Sequence, residues 1–495
     1  MPKEIFVGID LGTTVLKAAA FDAPGGRLLA GCVKPLKIRV GPDGSREQNP
    51  SQIDRALGGA LRAIRGTLGK AWRSVAGLSL AAQGGSALIA DRRTGKALSA
   101  MMLWNDARPN RYVAEVAAGK PASYWRRLAW HEGPGAGLAK LRWLQENRPT
   151  LIRDNNIYIG AGEHVYHRLT GTWRQDACNA TQIGCYDVPN NRLVQAPLDV
   201  VGVPLSFVAP LRQGHATHPL ARTAARRVGL REGIPVAGPY MDHEAGYLSA
   251  AHLARRPLQC SLGTAWVGNF LLSKNARWSS PFQLVIPAPV GNGWLIIQPL
   301  LTGNVSWDWA LQTLLDADKT RAIARLDAVF GRALLPPEHL TCLPWLARPN
   351  PLVKNAFGGG VMLGISPHTD AHDMLRALAA GMCYEFFRIF RQVHRRRRFD
   401  AIVLGGGASK GWFFARLFAA LFDPIEVYTT RDEDLAGARG AIYPFSPTAA
   451  ACRAKRVRMP NAQTRRRIAA GLDSYLNTYD RVYGSVAVGG PIELR

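Results

Sequence analysis

The stretch Ile5-Phe-Val-Gly-Ile-Asp-Leu-Gly-Thr-Thr14 decides the fold, because its pattern occurs a second time past the middle of the chain. It has the pattern of a short buried strand that runs into a Gly-Thr turn, with further strand patterns at 15–21 and 27–33. The second copy, Leu258-Gln-Cys-Ser-Leu-Gly-Thr264, precedes strand patterns at 266–272 and 294–298. Each copy is followed by segments with helical periodicity. The duplication predicts an α/β chain with two related domains that face each other across a cleft.

The length of the chain agrees with this division. At 495 residues it exceeds what one hydrophobic core usually organises. We place an N-terminal domain at residues 1–247 and a C-terminal domain at 248–495, with a helical pattern at 245–254 that links them.

The first Gly-Thr turn has the composition of a phosphate-binding loop. Gly12 allows the backbone to approach a phosphate, and the hydroxyl and N–H groups of Thr13 and Thr14 can bind its oxygens. Asp10 would face the same space and suits Mg²⁺, while Lys17 could supply positive charge to a γ-phosphate. The alternative is an ordinary β-hairpin with a threonine-rich turn.

Two more glycine turns extend this prediction. Gly263 and Thr264 form the second copy of the turn, so the two domains could hold a nucleotide from opposite sides. A third turn follows an apolar strand at 401–404 and could lie flat against an adenine or a ribose, although a tight strand-to-helix connection would have the same sequence. Its candidate nucleotide-binding residues are Gly405, Gly406, Gly407, Ala408 and Lys410.

Asp242 is the candidate general base. It lies in a glycine-containing loop after a short apolar strand, and phosphoryl transfer needs a carboxylate that accepts the proton of the attacking hydroxyl. The alternative is that Asp242 caps a helix at 245–254, and both roles can hold together.

Two further segments combine an aromatic face with amide, carboxylate and guanidinium groups, which suit a polyhydroxylated ligand. The alternatives are core packing for the tryptophan and a surface ion pair for the charged residues. The candidate substrate-binding residues in these segments are Gln83, Gly84, Trp104, Asn105, Asp106 and Arg108.

The composition restricts the class of protein. No apolar run reaches the roughly 20 residues that a membrane-spanning helix needs, and seven cysteines without a CxxC pair fit a reducing compartment, so we expect a cytoplasmic protein. The net charge of +26 attracts anions, which include both nucleotides and nucleic acids. We expect small-molecule partners rather than nucleic acid or membrane, and a homodimer stays open.

Taken in order, these segments resemble the FGGY carbohydrate kinases, nearest to the xylulokinase-like branch. The resemblance covers residues 5 to about 443. Its motifs are Gly8-Ile-Asp-Leu-Gly-Thr-Thr14, Leu103-Trp-Asn-Asp106 with Arg108, Arg168-Leu-Thr-Gly171, the Asp242 loop, Ser261-Leu-Gly-Thr264, Gly360-Val-Met-Leu-Gly364-Ile365 and Gly405-Gly-Gly407.

The resemblance implies an actin-like fold of two ribonuclease-H-like domains and an ATP- and Mg²⁺-dependent sugar kinase. Asp242 matches the family's general base and Asp10 its Mg²⁺-associated acid. The resemblance also places Glu163 in the sugar pocket, together with Gln83, Trp104, Asn105 and Asp106. A catalytically silent sugar-responsive or nucleic-acid-binding protein on the same fold is the alternative.

The chain departs from the xylulokinase pattern on the acceptor side. Xylulokinases usually have Gln-Met-His-Gly where this chain has Gln83-Gly-Gly-Ser86, and His243, a candidate substrate contact, stands where Asn or Gln is usual. The sequence therefore predicts a sugar kinase but leaves its sugar open.

Overall fold

The computed structural model describes residues 4–130, 133–276, 283–300, 302–316, 319–346, 350, 353, 359–395, 399–431 and 433–484. The strands are β1 Ile5–Leu11, β2 Val15–Asp22, β3 Leu28–Pro35, β4 Arg39–Val40, β5 Arg46–Gln48, β6 Val75–Ala82, β7 Ala87–Asp91, β8 Met101–Met102, β9 Asn156–Gly160, β10 Tyr186–Asp187, β11 Arg192–Leu193, β12 His218–Pro219, β13 Pro235–Met241, β14 Pro257–Leu262, β15 Trp266–Leu272, β16 Leu284–Pro287, β17 Trp294–Pro299, β18 Thr341–Leu343, β19 Val361–Leu363, β20 Ala401–Gly405, β21 Glu426–Thr430 and β22 Ala454–Arg456. The α-helices are α1 Pro50–Leu68, α2 Val113–Ala118, α3 Ala122–Ala129, α4 Ala136–Asn147, α5 Ala161–Thr170, α6 Ala177–Ile183, α7 Arg222–Val228, α8 Asp242–Ala250, α9 Asn304–Leu315, α10 Lys319–Arg332, α11 Ala371–Arg395, α12 Trp412–Leu421, α13 Ala436–Ala441, α14 Pro447–Ala450 and α15 Ala462–Tyr483.

The first large sheet has the strand order β12-β13-β6-β1-β2-β3. Strands β1, β2 and β3 form an antiparallel meander, whereas β6 and β13 run parallel to β1. Both faces of β1 are buried, which fits its nearly continuous apolar sequence. A second sheet of the same half, β4-β5-β8-β7-β9, adds the segment that carries Trp104.

The second large sheet repeats this arrangement, in the order β16-β17-β15-β14-β20-β21-β22. Here β14, β15 and β17 form the antiparallel meander, and β20 and β21 run parallel to β14. Strands β14 and β15 therefore correspond to β1 and β2. The prediction of two related α/β units from the duplicated strand-and-turn pattern is confirmed.

Separate hydrophobic cores support the two sheets. Helix α1 packs Ile53, Leu57, Leu61 and Ile64 into the first core, and the Asn49 side chain caps its N-terminus. In the second core, Trp266 of β15 packs against aromatic residues of α11 and α12. Each unit thus buries its own apolar surface, as a domain requires.

Two helices join the halves through close backbone contacts. Helix α13 lies between β21 and β22 of the second sheet in the chain but packs on β1, where a Cβ atom at Gly8 would lie 1.8 Å from the carbonyl oxygen of Ala438. It also packs on α8, where a Cβ at Gly440 would lie 1.7 Å from the carbonyl oxygen of Ala245. Only glycine permits approaches this close, so α8 and α13 tie the two sheets together.

The linking helix differs from its predicted bounds. A helix at 245–254 was expected, but α8 spans Asp242–Ala250 and the N-cap position is Met241, so Asp242 lies in the first turn rather than at the cap. A carboxylate in the first turn interacts favourably with the helix dipole, which explains the early start. The domain boundary between residues 247 and 248 lies inside this helix and remains a prediction.

Among the described residues, no helix combines the length and the apolar character that crossing a membrane would demand.

Candidate functional site

The carboxyl ends of the parallel strands of the first sheet form one edge of the site. Leu11 at the end of β1 pairs with Ala82 of β6, and Ala82 pairs with Met241 of β13. The residues that follow these strands are Gly12, Gln83 and Asp242, so three predicted site segments emerge side by side. This is the edge where open α/β sheets usually bind ligands.

The second sheet presents the corresponding edge. Strand β14 pairs with β20 up to Ser261 and Gly405, so the turns after both strands lie next to each other. Gly406 has φ +86°, and a Cβ there would lie 2.9 Å from the backbone of Leu262. Glycine is therefore required where this third turn crosses the end of β14.

The two edges line a common cavity of about 970 Å³. Most of the predicted site residues line it, although they come from distant parts of the chain. They are Asp10, Gly12, Thr13, Thr14, Lys17, Gln83, Gly84, Trp104, Asp242, His243, Gly263, Thr264, Gly405, Gly406 and Gly407.

A hydrogen-bond network links the first Gly-Thr turn to the predicted sugar side. The Thr13 hydroxyl donates to Gln83 Oε1 over 2.7 Å and accepts from the Trp104 indole nitrogen over 3.2 Å. Gln83 Nε2 in turn donates to Gln48 Oε1 over 3.2 Å. Trp104 is 40% exposed and lines the cavity, which argues against the alternative of core packing.

Asp10 is a buried acid in the cavity wall with a raised pKa. Burial raises its pKa from 3.8 to about 6; the charge of Lys17, opposite Asp10 in the β1–β2 pairing, lowers the pKa, and the charge of Asp242 raises it. Its Oδ1 atom is buried without a hydrogen-bond partner. An unpartnered carboxylate oxygen in the wall of a cavity fits a cation ligand, and Mg²⁺ prefers oxygen ligands of this kind.

Asp242 projects from the start of α8 into the same cavity. One of its carboxylate oxygens, Oδ1, accepts a 2.8 Å hydrogen bond from the backbone N–H of His243. The backbone therefore fixes the orientation of the carboxylate, and the side chain remains partly accessible to a ligand in the cavity.

Four of the predicted substrate residues lie outside the cavity lining. The Arg108 guanidinium donates to Asp106 and to Glu47, each over 2.7 Å, so this pair belongs to a largely buried ion cluster rather than to an exposed surface pair. Asn105 is exposed beside it. Glu163 is fully buried and accepts a 2.8 Å hydrogen bond from the Asn179 side chain. Burial raises the pKa of Glu163 to about 8, and the charge of Asp176 raises it further.

Two predicted nucleotide residues, Ala408 and Lys410, also lie outside the lining. The Lys410 ammonium donates to Asp434 Oδ2 over 2.7 Å, and Asp434 itself lines the cavity. Both side chains are more than half exposed, so this ion pair contributes little to stability.

Sequence reasoning missed a wall of the cavity formed by the start of α4 and the end of α6. This wall contains Gly133, Pro134, Gly135, Ala136, Thr181 and Gln182. The glycines at 135 and 137 were the available signal, because each marks a place where another backbone approaches closely.

The chain matches two family models that together span most of its length. Residues 5–249 match the N-terminal domain of the FGGY family of carbohydrate kinases, and residues 258–444 match the C-terminal domain of that family.

Individual relatives agree with this assignment. The xylulose kinase of Staphylococcus epidermidis is 23% identical over 430 residues, which cover 86% of this chain and 84% of the relative. The crystal structure of xylulose kinase from Rhodospirillum rubrum superposes with a TM-score of 0.81 at 19% identity and covers 97% of this chain and 99% of the other. The gluconate kinase structure from Lactobacillus acidophilus gives a TM-score of 0.81 at 21% identity, with coverage of 98% and 99%.

These matches confirm the resemblance to the xylulokinase-like branch and the two-domain actin-like fold. Sugar kinases of this family use ATP as the phosphoryl donor. With a model for each domain matched across 5–249 and 258–444, the chain belongs to the FGGY family of carbohydrate kinases and is a carbohydrate kinase.

Proposed function

We propose that this kinase transfers the γ-phosphoryl group of MgATP to a hydroxyl of a sugar, of the ketopentose type or a related sugar or polyol, with Asp242 as the general base. The observation that carries the proposal is the common cavity, in which Asp242 lies together with the glycine turns that begin at Gly12 and Gly263. A base must reach the acceptor hydroxyl while the triphosphate is held nearby, and one cavity meets both requirements.

Each wall of the cavity has a part in the proposed reaction. The two Gly-Thr turns bind phosphate oxygens through N–H and hydroxyl groups, and Lys17 faces the charge that develops on the transferred group. The turn at 405–407 holds the nucleoside. Asp10, with its unpartnered Oδ1, would hold Mg²⁺, which would offset the negative charge of the phosphates.

The chemical step is a direct displacement. The acceptor hydroxyl gives its proton to the Asp242 carboxylate while its oxygen forms a bond to the γ-phosphorus. The bond between that phosphorus and the β,γ-bridging oxygen breaks, and ADP leaves with that oxygen. The hydrogen bond from the His243 backbone N–H keeps the carboxylate oriented during this transfer.

The acceptor is the open part of the proposal. The relatives are named for xylulose and gluconate, and the chain departs from the xylulokinase pattern at Gly84, Gly85 and His243, all on the acceptor side. We further propose a cytoplasmic enzyme, which the absence of disulfides among the described cysteines favours. A homodimer remains a prediction.

Replacement of the base tests the proposal. Asp242→Asn should lower kcat about 10³-fold while the dissociation constant of the acceptor, measured by calorimetry, stays within about threefold. The matched control is Asp373→Asn, which removes an acid from the first turn of α11 outside the cavity and should leave kcat unchanged. Turnover of Asp242→Asn near the wild-type rate would eliminate Asp242 as the base.

A further inference from the structure

Gln182 occupies the space that side chains at residues 84 and 85 would need. A Cβ atom at Gly84 would lie 2.3 Å from Gln182 Oε1, and one at Gly85 would lie 3.2 Å from Gln182 Nε2. Gly85 also has φ +71°, which disfavours any other residue. The two glycines and the glutamine amide therefore form one packed unit in the acceptor side of the cavity.

The amide of Gln182 belongs to the cavity wall. Gln182 lines the cavity, and its Oε1 atom is buried without a hydrogen-bond partner. It lies beside the catalytic loop, because a Cβ at Gly84 would also be 3.3 Å from the methyl carbon of Met241, the residue before Asp242. A buried carbonyl without a partner is unfavourable, so a ligand group that pairs with it gains affinity.

Helix α4 holds this unit in place from behind. Cβ atoms at Gly135 and Gly137 would lie 2.1 Å and 2.8 Å from the carbonyl oxygen of Gln182, so α4 begins directly against the Gln182 backbone. The Lys140 ammonium on the same helix donates to the carbonyl of Gly85 over 2.5 Å. One helix thus fixes both the glutamine and the glycine turn, and the amide is preorganised rather than mobile.

We propose that Gln182 is the specificity-determining residue for the acceptor, and that its amide hydrogen-bonds a hydroxyl of a neutral sugar or polyol. This inference rests on the proposed function. A hydroxyl both donates and accepts, so it pairs with the amide in either orientation of the oxygen and nitrogen atoms. A carboxylate at the same position only accepts and leaves the amide oxygen unpaired, so a sugar acid that places its carboxylate there is the poorer acceptor.

The test compares two methionine variants. Wild-type enzyme is first screened for acceptor-dependent ADP release with ketoses, aldoses, polyols and D-gluconate. With the best acceptor, Gln182→Met should lower kcat/KM about 10- to 100-fold, while KM for ATP stays within about twofold. The matched control is Gln145→Met, since Gln145 also has a buried, unpartnered Oε1 but lies outside the cavity and should show wild-type kinetics.

Deoxygenated acceptors identify the contact itself. One singly deoxygenated analogue should lack the hydroxyl that binds Gln182. With wild-type enzyme, the kcat/KM of this analogue should fall below that of the parent acceptor, and the factor should match the one by which Gln182→Met lowers kcat/KM for the parent acceptor. In Gln182→Met the parent and this analogue should be equivalent, because the hydroxyl no longer has a partner. Gln182→Ala serves as the second variant if Gln182→Met does not yield folded protein.

The outcomes separate this inference from the proposed function. If wild type phosphorylates an acceptor but Gln182→Met keeps kcat/KM within twofold for every acceptor, the role of Gln182 is overturned alone. A clear preference of the wild type for D-gluconate over neutral sugars would overturn it as well. If no acceptor in the screen stimulates ADP release, the proposed function fails and this inference fails with it.

Discussion

Replacing Asp10 by asparagine should stabilise the protein without ligands and abolish its use of MgATP. Burial raises the pKa of Asp10 from 3.8 to about 6, with the Asp242 charge adding to the effect, so the ionised carboxylate destabilises the folded state. At about 1.4 kcal/mol for each tenfold change in acidity, the displacement from 3.8 to about 6 corresponds to at most about 3 kcal/mol.

The pH dependence follows from the direction of the shift. Below pH 4 the carboxyl is protonated in both the folded and the unfolded protein, so its ionisation has no effect on stability. Between pH 4 and 6 the unfolded chain releases the proton while the folded protein keeps it, and wild-type stability falls as the pH rises. Because asparagine does not ionise, the advantage of Asp10→Asn should grow over this window and stay constant above about pH 7.

Thermal unfolding of both proteins from pH 4.5 to 8 measures this difference. We expect the Tm of Asp10→Asn to gain at most about 3 °C on wild type across the range, because the unfolding entropy of a chain of this length is about 1 kcal/mol per degree. The matched control is Asp91→Asn at the end of β7, where hydrogen bonds from Thr94 hold the pKa of the carboxyl below its usual range. This carboxyl is ionised in both the folded and the unfolded protein over most of the measured range, so the difference between Asp91→Asn and wild type should not change with pH. A difference between Asp10→Asn and wild type that stays flat with pH would refute the electrostatic reasoning.

Two further substitutions test the supports of the site. Lys140→Met removes the buried ammonium that binds the carbonyl of Gly85. In steady-state kinetics, KM for the acceptor should rise roughly 10-fold while KM for ATP stays unchanged. A rise of both KM values together would contradict this expectation. Gly437→Ala places a methyl group 2.5 Å from the Asp10 carboxylate, so the rise in Tm caused by MgADP should shrink by more than half. Gly66→Ala, where the methyl group meets no atom within 4 Å, should keep the full MgADP response, and equal behaviour of the two alanine variants would argue against the contact.

Local patterns were sufficient to predict the fold and the turns at the strand ends that line the cavity. The strand-and-turn copies at 5–14 and 258–264 predicted two related units. In the structure, each copy forms a central strand of its sheet and the turn that follows that strand. Once these strands are parallel to their neighbours, the turns that follow them must lie at one edge, so placing Gln83 and Asp242 near Gly12 needed no knowledge of tertiary packing.

The residues that sequence reasoning missed or misplaced depend on contacts between distant segments. Arg108 was expected to contact a sugar, but it lies outside the cavity lining and binds Glu47 of β5, whose proximity no periodicity reveals. Gln182 lies almost a hundred residues after Gly84, and only the packing of α4 brings the two together. Polar residues on short helices have no positional signal of their own, which explains why this part of the acceptor wall could not be predicted.

The geometry of the two proposed catalytic carboxylates depends on both halves of the chain, although both residues belong to the first half. Helix α13 packs its backbone on β1, which carries Asp10, and on α8, which carries Asp242, with glycines at both contacts. A contact between backbones cannot adapt as a contact between flexible side chains can, so α13 fixes strand and helix relative to each other. The Gly-Thr turn at 263–264 belongs to the other sheet and is not part of this contact. The acid pair is therefore held as one rigid unit, and any relative movement of the two sheets changes the distance from that unit to the second phosphate turn.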